Sequence, residues 1–183
     1  QIGLINVSKK VNGVQIGLVN ISATINGVAL GLLNFSRSGF NRMVMSVDHM
    51  ALHTLEYQSG TRWLNSRLLF GCNAPHNLKT VGYGLGVNVP LGSSWNIDIE
   101  GKVTTFLSNS WQHQGLHLGY AGLAIERKIV DWLWVNVGMR AGGLLTENKH
   151  NEKLDNFSIL RNEETVLFNG WSVFPYASGQ FSL

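Results

Sequence analysis

No stretch of this 183-residue sequence approaches the roughly 18 to 20 uninterrupted apolar residues that a membrane-spanning helix requires. A helical membrane protein is therefore excluded. Charge is scarce as well: Asp, Glu, Lys and Arg make up 14% of the chain, against about a quarter in typical soluble domains. The 14 basic and 11 acidic side chains are scattered, for a net charge of +3. No basic run of the kind that tracks a phosphate backbone is present, so nucleic-acid binding has no support. Proline occurs 3 times and cysteine once. A lone Cys72 rules out an internal disulfide framework and reads as a small apolar residue in a strand pattern.

The length suits one ordinary domain, or a small barrel plus an accessory segment. Mean hydropathy is near zero, which leaves a soluble β-protein or a membrane barrel whose apolar residues are diluted by alternation. The charge deficit favours the barrel. Glycine, at 21 positions, is the first feature in excess.

The first forty residues align on themselves as QIGLINVSKKVNGV, QIGLVNISATINGV and ALGLLNFSRSGFNR. Gly3, Gly17 and Gly31 coincide, as do Asn6, Asn20 and Asn34, and Ser8, Ser22 and Ser36. Three copies at a 14-residue spacing make a repeat array. Asn12-Gly13 and Asn26-Gly27 carry the composition of a type I′ turn, so each repeat is expected to end in a tight reversal or a corner. In the middle copy Val14, Ile16 and Leu18 share one face and Val19, Ile21 and Ile25 the other, so the phase slips between Leu18 and Val19. A corner there would let two short strands per coil turn their apolar residues into a stacked solenoid core. A β-bulge would equally re-phase a meander strand of a barrel wall. Gln1 falls inside a repeat, so the chain is expected to be a fragment.

Beyond residue 40 the pattern is two-faced. Over 79–91, Val81, Tyr83, Leu85, Val87, Val89 and Leu91 fall on one face, against Thr80, Gly82, Gly84, Gly86 and Asn88 on the other. Over 95–107, Trp95, Ile97, Ile99, Val103 and Leu107 oppose Asn96, Asp98, Glu100, Lys102 and Thr104. Over 133–145, Leu133, Val135, Val137, Met139, Ala141 and Leu145 oppose Trp134, Asn136, Gly138, Arg140 and Gly142. Strands of this length cover the 9 to 11 residues needed to cross a bilayer at a tilt. Less regular candidates are 43–57, 62–72, 116–129 and 171–183.

The connections after Tyr57, Leu91 and Ile129 are short, and those after Cys72, Leu107 and Leu145 are longer. An outer-membrane barrel alternates in this way, with tight periplasmic turns and extended outer loops. Trp95 and Trp132 follow short turns, where indole rings favour the headgroup level. Seven strands from residue 43 onward fall short of the even number with which bacterial barrels close. Residues 28–36 could supply the eighth, and three repeat strands would make ten.

The copies GVQIGLVN with NGV resemble a surface-repeat family of spirochaetes and Bacteroidetes, and NLKTVGYGLGVNVPLGSSWNIDIEG is similar to strands of Bacteroidetes outer-membrane barrels. The resemblance implies an exported outer-membrane or surface protein and carries over no catalytic residue. The ending Phe181-Ser182-Leu183 departs from the terminal aromatic usual in such barrels.

Other chemistry is weakly signalled. His49 with His53, and His113 with His117, are spaced for one helical face but lie in strand or loop patterns, so no metal or other cofactor is expected. Ser108, Ser110, His113 and His117 around one loop distantly echo outer-membrane lipid hydrolases, without a nucleophile elbow. The loop 146–169 concentrates charge as a solvated surface loop would.

The sequence thus predicts an all-β protein: repeats over 1–40 and an antiparallel transmembrane barrel of 8 to 10 strands over 41–183. Lumen-facing polar residues are expected at Asp98, Glu100, Lys102, Asn136 and Arg140. Lipid-facing residues are expected at Val81, Tyr83, Leu85, Val87, Val89, Ile97, Ile99, Val135 and Val137, interface aromatics at Trp95 and Trp132, and repeat turns at Asn12, Gly13, Asn26 and Gly27. The expected role is structural or surface-interacting, with membrane lipid and surface or periplasmic proteins as partners and no catalysis. A narrow pore and a loop Ser/His lipid hydrolase are the alternatives.

Overall fold

A computed structural model describes residues 1–48, 52–73, 78–107, 116–145 and 169–182. Three strands, β1 (Ile5–Ile16), β2 (Val19–Leu30) and β3 (Leu33–Ser36), form a parallel sheet from the repeats. Eight more close into an antiparallel barrel: β4 (Phe40–Asp48), β5 (Leu52–Gly60), β6 (Asn65–Asn73), β7 (Leu78–Pro90), β8 (Trp95–Leu107), β9 (Leu116–Val130), β10 (Leu133–Leu145) and β11 (Asn169–Ser182). Each barrel strand pairs with its neighbours in sequence, and β11 closes the ring on β4, from Tyr176↔Asp48 to Ser182↔Arg42. Closure leaves no barrel edge unpaired.

Six of these strands, β6 to β11, match segments read from the sequence to within a few residues, and the seventh segment is the exception. Residues 43–57 do not form a single strand but the two arms of a hairpin, β4 and β5, paired from Phe40↔Gly60 to Val47↔His53. This supplies the eighth strand, so the repeats contribute none to the barrel wall.

In the repeats, successive copies stack in parallel at the 14-residue offset, from Ile5↔Val19 to Ile16↔Leu30, and β3 continues the stack with Val19↔Leu33. The chain turns at Gly17–Leu18, where the phase slips, and again between β2 and β3. Parallel stacking of coils decides for the solenoid-like arrangement over a meander. Asn12-Gly13 and Asn26-Gly27 are not hairpin turns: Asn12↔Asn26 and Gly13↔Gly27 pair in line within the ladder. Gly13 adopts φ 109°, and a Cβ on Gly27 would collide with the Gly13 carbonyl oxygen, so close stacking of the coils requires glycine there.

The interior of the stack also differs from the apolar core anticipated. Val14, Ile16, Leu18 and Ile21 are exposed, while Asn6, Gln15, Asn20, Ser22 and Asn34 are buried beside Val11 and Ala29. The asparagines form a ladder: the Asn6 side-chain amide donates to Asn20 Oδ1 at 2.9 Å, and that of Asn20 to Asn34 Oδ1 at 2.7 Å. The same amides donate to the Ile16 and Leu30 carbonyls. These carbonyls also accept the Gly3 and Gly17 backbone N–H groups at 3.0 Å, so the asparagine amides find buried acceptors with a second lone pair to offer, which gives the buried polar side chains their partners.

The ladder ends on the barrel. Asn34 Nδ2 donates to Ser66 Oγ at 2.7 Å, and the Asn34 backbone N–H to Ser59 Oγ at 3.0 Å. Tyr83 donates its hydroxyl to the Gly31 carbonyl at 3.2 Å, and the Phe35 and Tyr57 rings lie 6.1 Å apart. Ser59, Ser66, Tyr57 and Tyr83 belong to the outward faces of β5, β6 and β7, close to the end that carries the short turns. The last coil is therefore seated on the outside of the barrel wall at that end.

Candidate functional site

Alternation turns one set of side chains of β4 to β10 inward. From β4 to β10 these include Arg42 and Ser46, Glu56 and Gln58, Asn65 and Arg67, Thr80 and Asn88, Asp98, Glu100, Lys102 and Thr104, Glu126, Asn136 and Arg140, all buried. The opposite set is apolar and exposed, including Met45, Phe70, Ile99, Val103, Leu123, Ile125, Val137 and Met139. This inverts a soluble protein, where charged residues are almost never fully buried and contiguous apolar surface is covered.

Four basic and four acidic side chains are buried in the interior among the described residues: Arg42, Arg67, Lys102 and Arg140 against Glu56, Asp98, Glu100 and Glu126. Arg67, fully buried, is the hub. Its guanidinium forks onto both oxygens of Asp98, the longer contact being 2.8 Å, and reaches Glu100 at 2.6 Å and Glu56 at 3.8 Å. Glu100 also takes Lys102 at 2.6 Å and Arg140 at 2.7 Å, and Lys102 pairs in addition with Glu56. A second cluster lies nearer the short-turn end, where Arg42 meets Glu126 at 3.0 Å and Asn96 donates to the same carboxylate at 3.1 Å. Asn88 links the two, donating to Asp98 at 3.0 Å and to Glu126 at 3.3 Å.

Space for these long side chains comes from the glycine strip of β7 and β9. A Cβ on Gly86 would overlap the Arg67 guanidinium, and one on Gly122 would stand 2.8 Å from Glu100 Cγ. Eight strands leave an interior just wide enough for side chains to fill, and charge-balanced pairs fill it here. Burial of this many ions is tolerated because each has partners of opposite sign and further hydrogen bonds.

The structure places Asp98, Glu100, Lys102, Asn136 and Arg140 inside. Val81, Leu85, Val87, Val89, Ile97, Ile99, Val135 and Val137 lie on the outer face, half-buried or exposed. Tyr83 also points outward, but the last repeat covers it through the Gly31 contact. Trp95 and Trp132 are exposed at the short-turn end, with Arg127 over the Trp95 ring at 5.2 Å and Trp63 exposed in the β5–β6 turn. The sequence reading missed Arg67, Glu56, Arg42 and Glu126. Their signal lay in alternation: Asn65, Arg67 and Leu69 oppose Ser66, Leu68 and Phe70.

The loop candidates Ser108, Ser110 and His113, with His49 and most of the charged loop 146–169, lie outside the described residues. His117 sits on β9 with its Nδ1 2.9 Å from Thr105 Oγ1. Among the described residues no three His, Cys, Asp or Glu side chains cluster as metal ligands would.

No protein-family model matches the chain, and no curated protein matches it. Among solved structures, a protein from "De novo design of transmembrane beta-barrels" is similar, with a TM-score of 0.50 at 11% identity over 79% of this chain and 93% of that one. The fold is that of a transmembrane β-barrel.

At the short-turn mouth of this barrel, the Asn26-Gly27 corner overhangs a cavity of about 630 Å³. Arg42, stacked between Phe40 (4.3 Å) and Trp134 (4.9 Å), lines it. Most of its charge is answered: Arg42 by Glu126, and Lys128 by Asp131 at 2.7 Å. The Asp131 carboxyl is held below its usual range first by the Lys128 hydrogen bond and then by that ammonium's charge.

Proposed function

We propose that the protein is a sealed barrel of a bacterial outer membrane that holds a β-repeat platform at its periplasmic end, with a structural or protein-interaction role. One observation carries the reading: a closed barrel whose described strands are apolar outside and place inside a balanced set of four cations and four anions. Such a wall suits hydrocarbon, and such an interior leaves no free path for solutes.

The orientation follows from the turns. The connections 61–64, 91–94 and 131–132 are short and share one end of the barrel. In outer-membrane barrels short turns face the periplasm. The repeats sit at that end, bound to Ser59 and Ser66 beside the β5–β6 turn. Their partners are then periplasmic. The resemblance of the 14-residue copies to bacterial surface repeats agrees with an exported protein.

Lys9 is exposed in the first repeat, and Cys72 is the single native cysteine. With Lys9→Cys in a Cys72→Ser background, a membrane-impermeant maleimide should leave intact cells unlabelled and should label the protein once the outer membrane is permeabilised. Equal labelling of intact cells would place the repeats outside and overturn the orientation.

A further inference from the structure

The repeat sheet has two unlike ends, and the barrel fixes which way each one faces. At one end every copy turns through a Gly-Leu corner, Gly3-Leu4, Gly17-Leu18 and Gly31-Leu32. The residues around these corners are apolar and exposed: Ile2 and Leu4, Ile16 and Leu18, and Leu32. Because the coils stack in register, Leu4, Leu18 and Leu32 form a ridge. Parallel strands lie about 4.7–4.9 Å apart, so the ridge runs away from the barrel wall in coil-sized steps.

The other end is polar. Lys9, Lys10, Asn12, Thr24 and Asn26 are exposed there. Asn26 and Gly27 overhang the mouth of the barrel beside Arg62. The Gly31-Leu32 corner lies instead against the outer wall, where Gly31 accepts the Tyr83 hydroxyl. Tyr83 belongs to the outward row that continues into the apolar band through Val81 and, across β8, Val103. The apolar ridge thus adjoins the surface read above as lipid-facing, and the lysine-bearing end points away from it.

We propose that the leucine ridge of the repeats is a membrane-contacting fin, lying in the headgroup–acyl boundary of the leaflet at the short-turn end, with lipid acyl chains as its partner. The inference rests on the membrane reading of the barrel and adds that the repeats touch the bilayer. Three things on the molecule select lipid as the occupant: continuity with the apolar outer band, the polarity of the sheet from end to end, and apolar side chains exposed at the same position in every coil. An interfacial element of this kind buries its apolar side about 5–10 Å into the boundary while its basic residues stay in water. It also accounts for why Ile2, Leu4, Ile16 and Leu18 stay outside at the corners while asparagines fill the stack.

The test uses the full chain folded into phospholipid vesicles, with one spin label each at Leu18→Cys, Lys9→Cys and Val137→Cys in a Cys72→Ser background. Collision of the label with oxygen, which partitions into lipid, is compared with collision with a water-soluble nickel chelate. A lipid-type ratio at positions 18 and 137 and a water-type ratio at position 9, several-fold apart, support the fin. A water-type ratio at 18 with a lipid-type ratio at 137 overturns the fin and leaves the membrane barrel standing. A water-type ratio at 137 overturns the membrane reading itself. Leu18 is an exposed corner residue, and heat-modifiable migration verifies that each variant has folded.

Discussion

Arg67 holds together three carboxylates that no other single residue could satisfy, because its planar fork binds Asp98 with two nitrogens while still reaching Glu100 and Glu56. Arg67→Met is therefore expected to cost about 3–5 kcal/mol, the range for breaking a buried ion pair from one side, read as a lowered urea midpoint for the chain folded into vesicles. Arg67→Lys should cost less but not recover the native value, since an ammonium lacks the fork. A loss below about 1 kcal/mol for Arg67→Met, the level of a surface pair, would show that the network is dispensable. Glycine gives a paired control. Gly86→Ala must displace the guanidinium pinned by these acids and should destabilise by about 1–3 kcal/mol. Gly101→Ala meets nothing within 4 Å and should be neutral or slightly stabilising. The inward residues of β8 and β10 were legible because their alternation is unbroken. Arg67 was not, because on β6 the inward positions are odd-numbered while on β5 and β7 they are even, and a short window centred on it sees the phase change at both sides.

At the scale of elements, the missed β4–β5 hairpin has a physical cause. Met43 pairs with Tyr57, Met45 with Leu55 and Val47 with His53, so odd-numbered residues face outward on both arms and the alternation passes through the reversal unchanged. The sequence between, Asp48-His49-Met50-Ala51, carries no glycine, proline or asparagine to mark a turn. Periodicity alone cannot distinguish such a hairpin from one long strand. The repeats show the opposite limit: their period was plain, but the parallel stacking depends on amide ladders that an apolar-face analysis does not weigh. That ladder makes its own prediction. Asn34 joins Asn20 to Ser66, so Asn34→Ala leaves buried donors and acceptors unmatched, at about 1–3 kcal/mol, and loosens the repeats from the wall. Trypsin should then release the repeat segment faster at the exposed Arg37, while the barrel keeps its heat-modifiable migration. Asn6→Ala, in the coil farthest from the wall, should change the release rate far less. Equal rates for both variants would mean that the ladder does not dock the sheet.

For the whole molecule the decisive property is the inversion of polarity combined with closure. An apolar outside and, among the described residues, eight mutually balanced charges inside make a wall suited to hydrocarbon and a bore lined by paired charges. The native protein in planar bilayers should therefore give no steady single-channel current. In the sealed barrel proposed above, side chains rather than backbone close the interior, so shortening them in a charge-neutral way should open it. Arg67→Ser together with Asp98→Ser removes one cation and one anion from the same layer, beside the bare Gly86 and Gly84 of β7. Replacing a guanidinium and a carboxylate by two hydroxymethyl groups leaves room that water fills, because the lining of Asn65, Asn88 and Glu100 is polar. The double variant should conduct where the native chain does not. Its current should discriminate little between cations and anions, since Arg42, Lys102 and Arg140 still balance Glu56, Glu100 and Glu126. A native protein that already conducts steadily would establish the narrow pore in place of the sealed barrel. A folded double variant that stays silent would show that the second cluster, Arg42 with Glu126 and Trp134, closes the bore without help from the first.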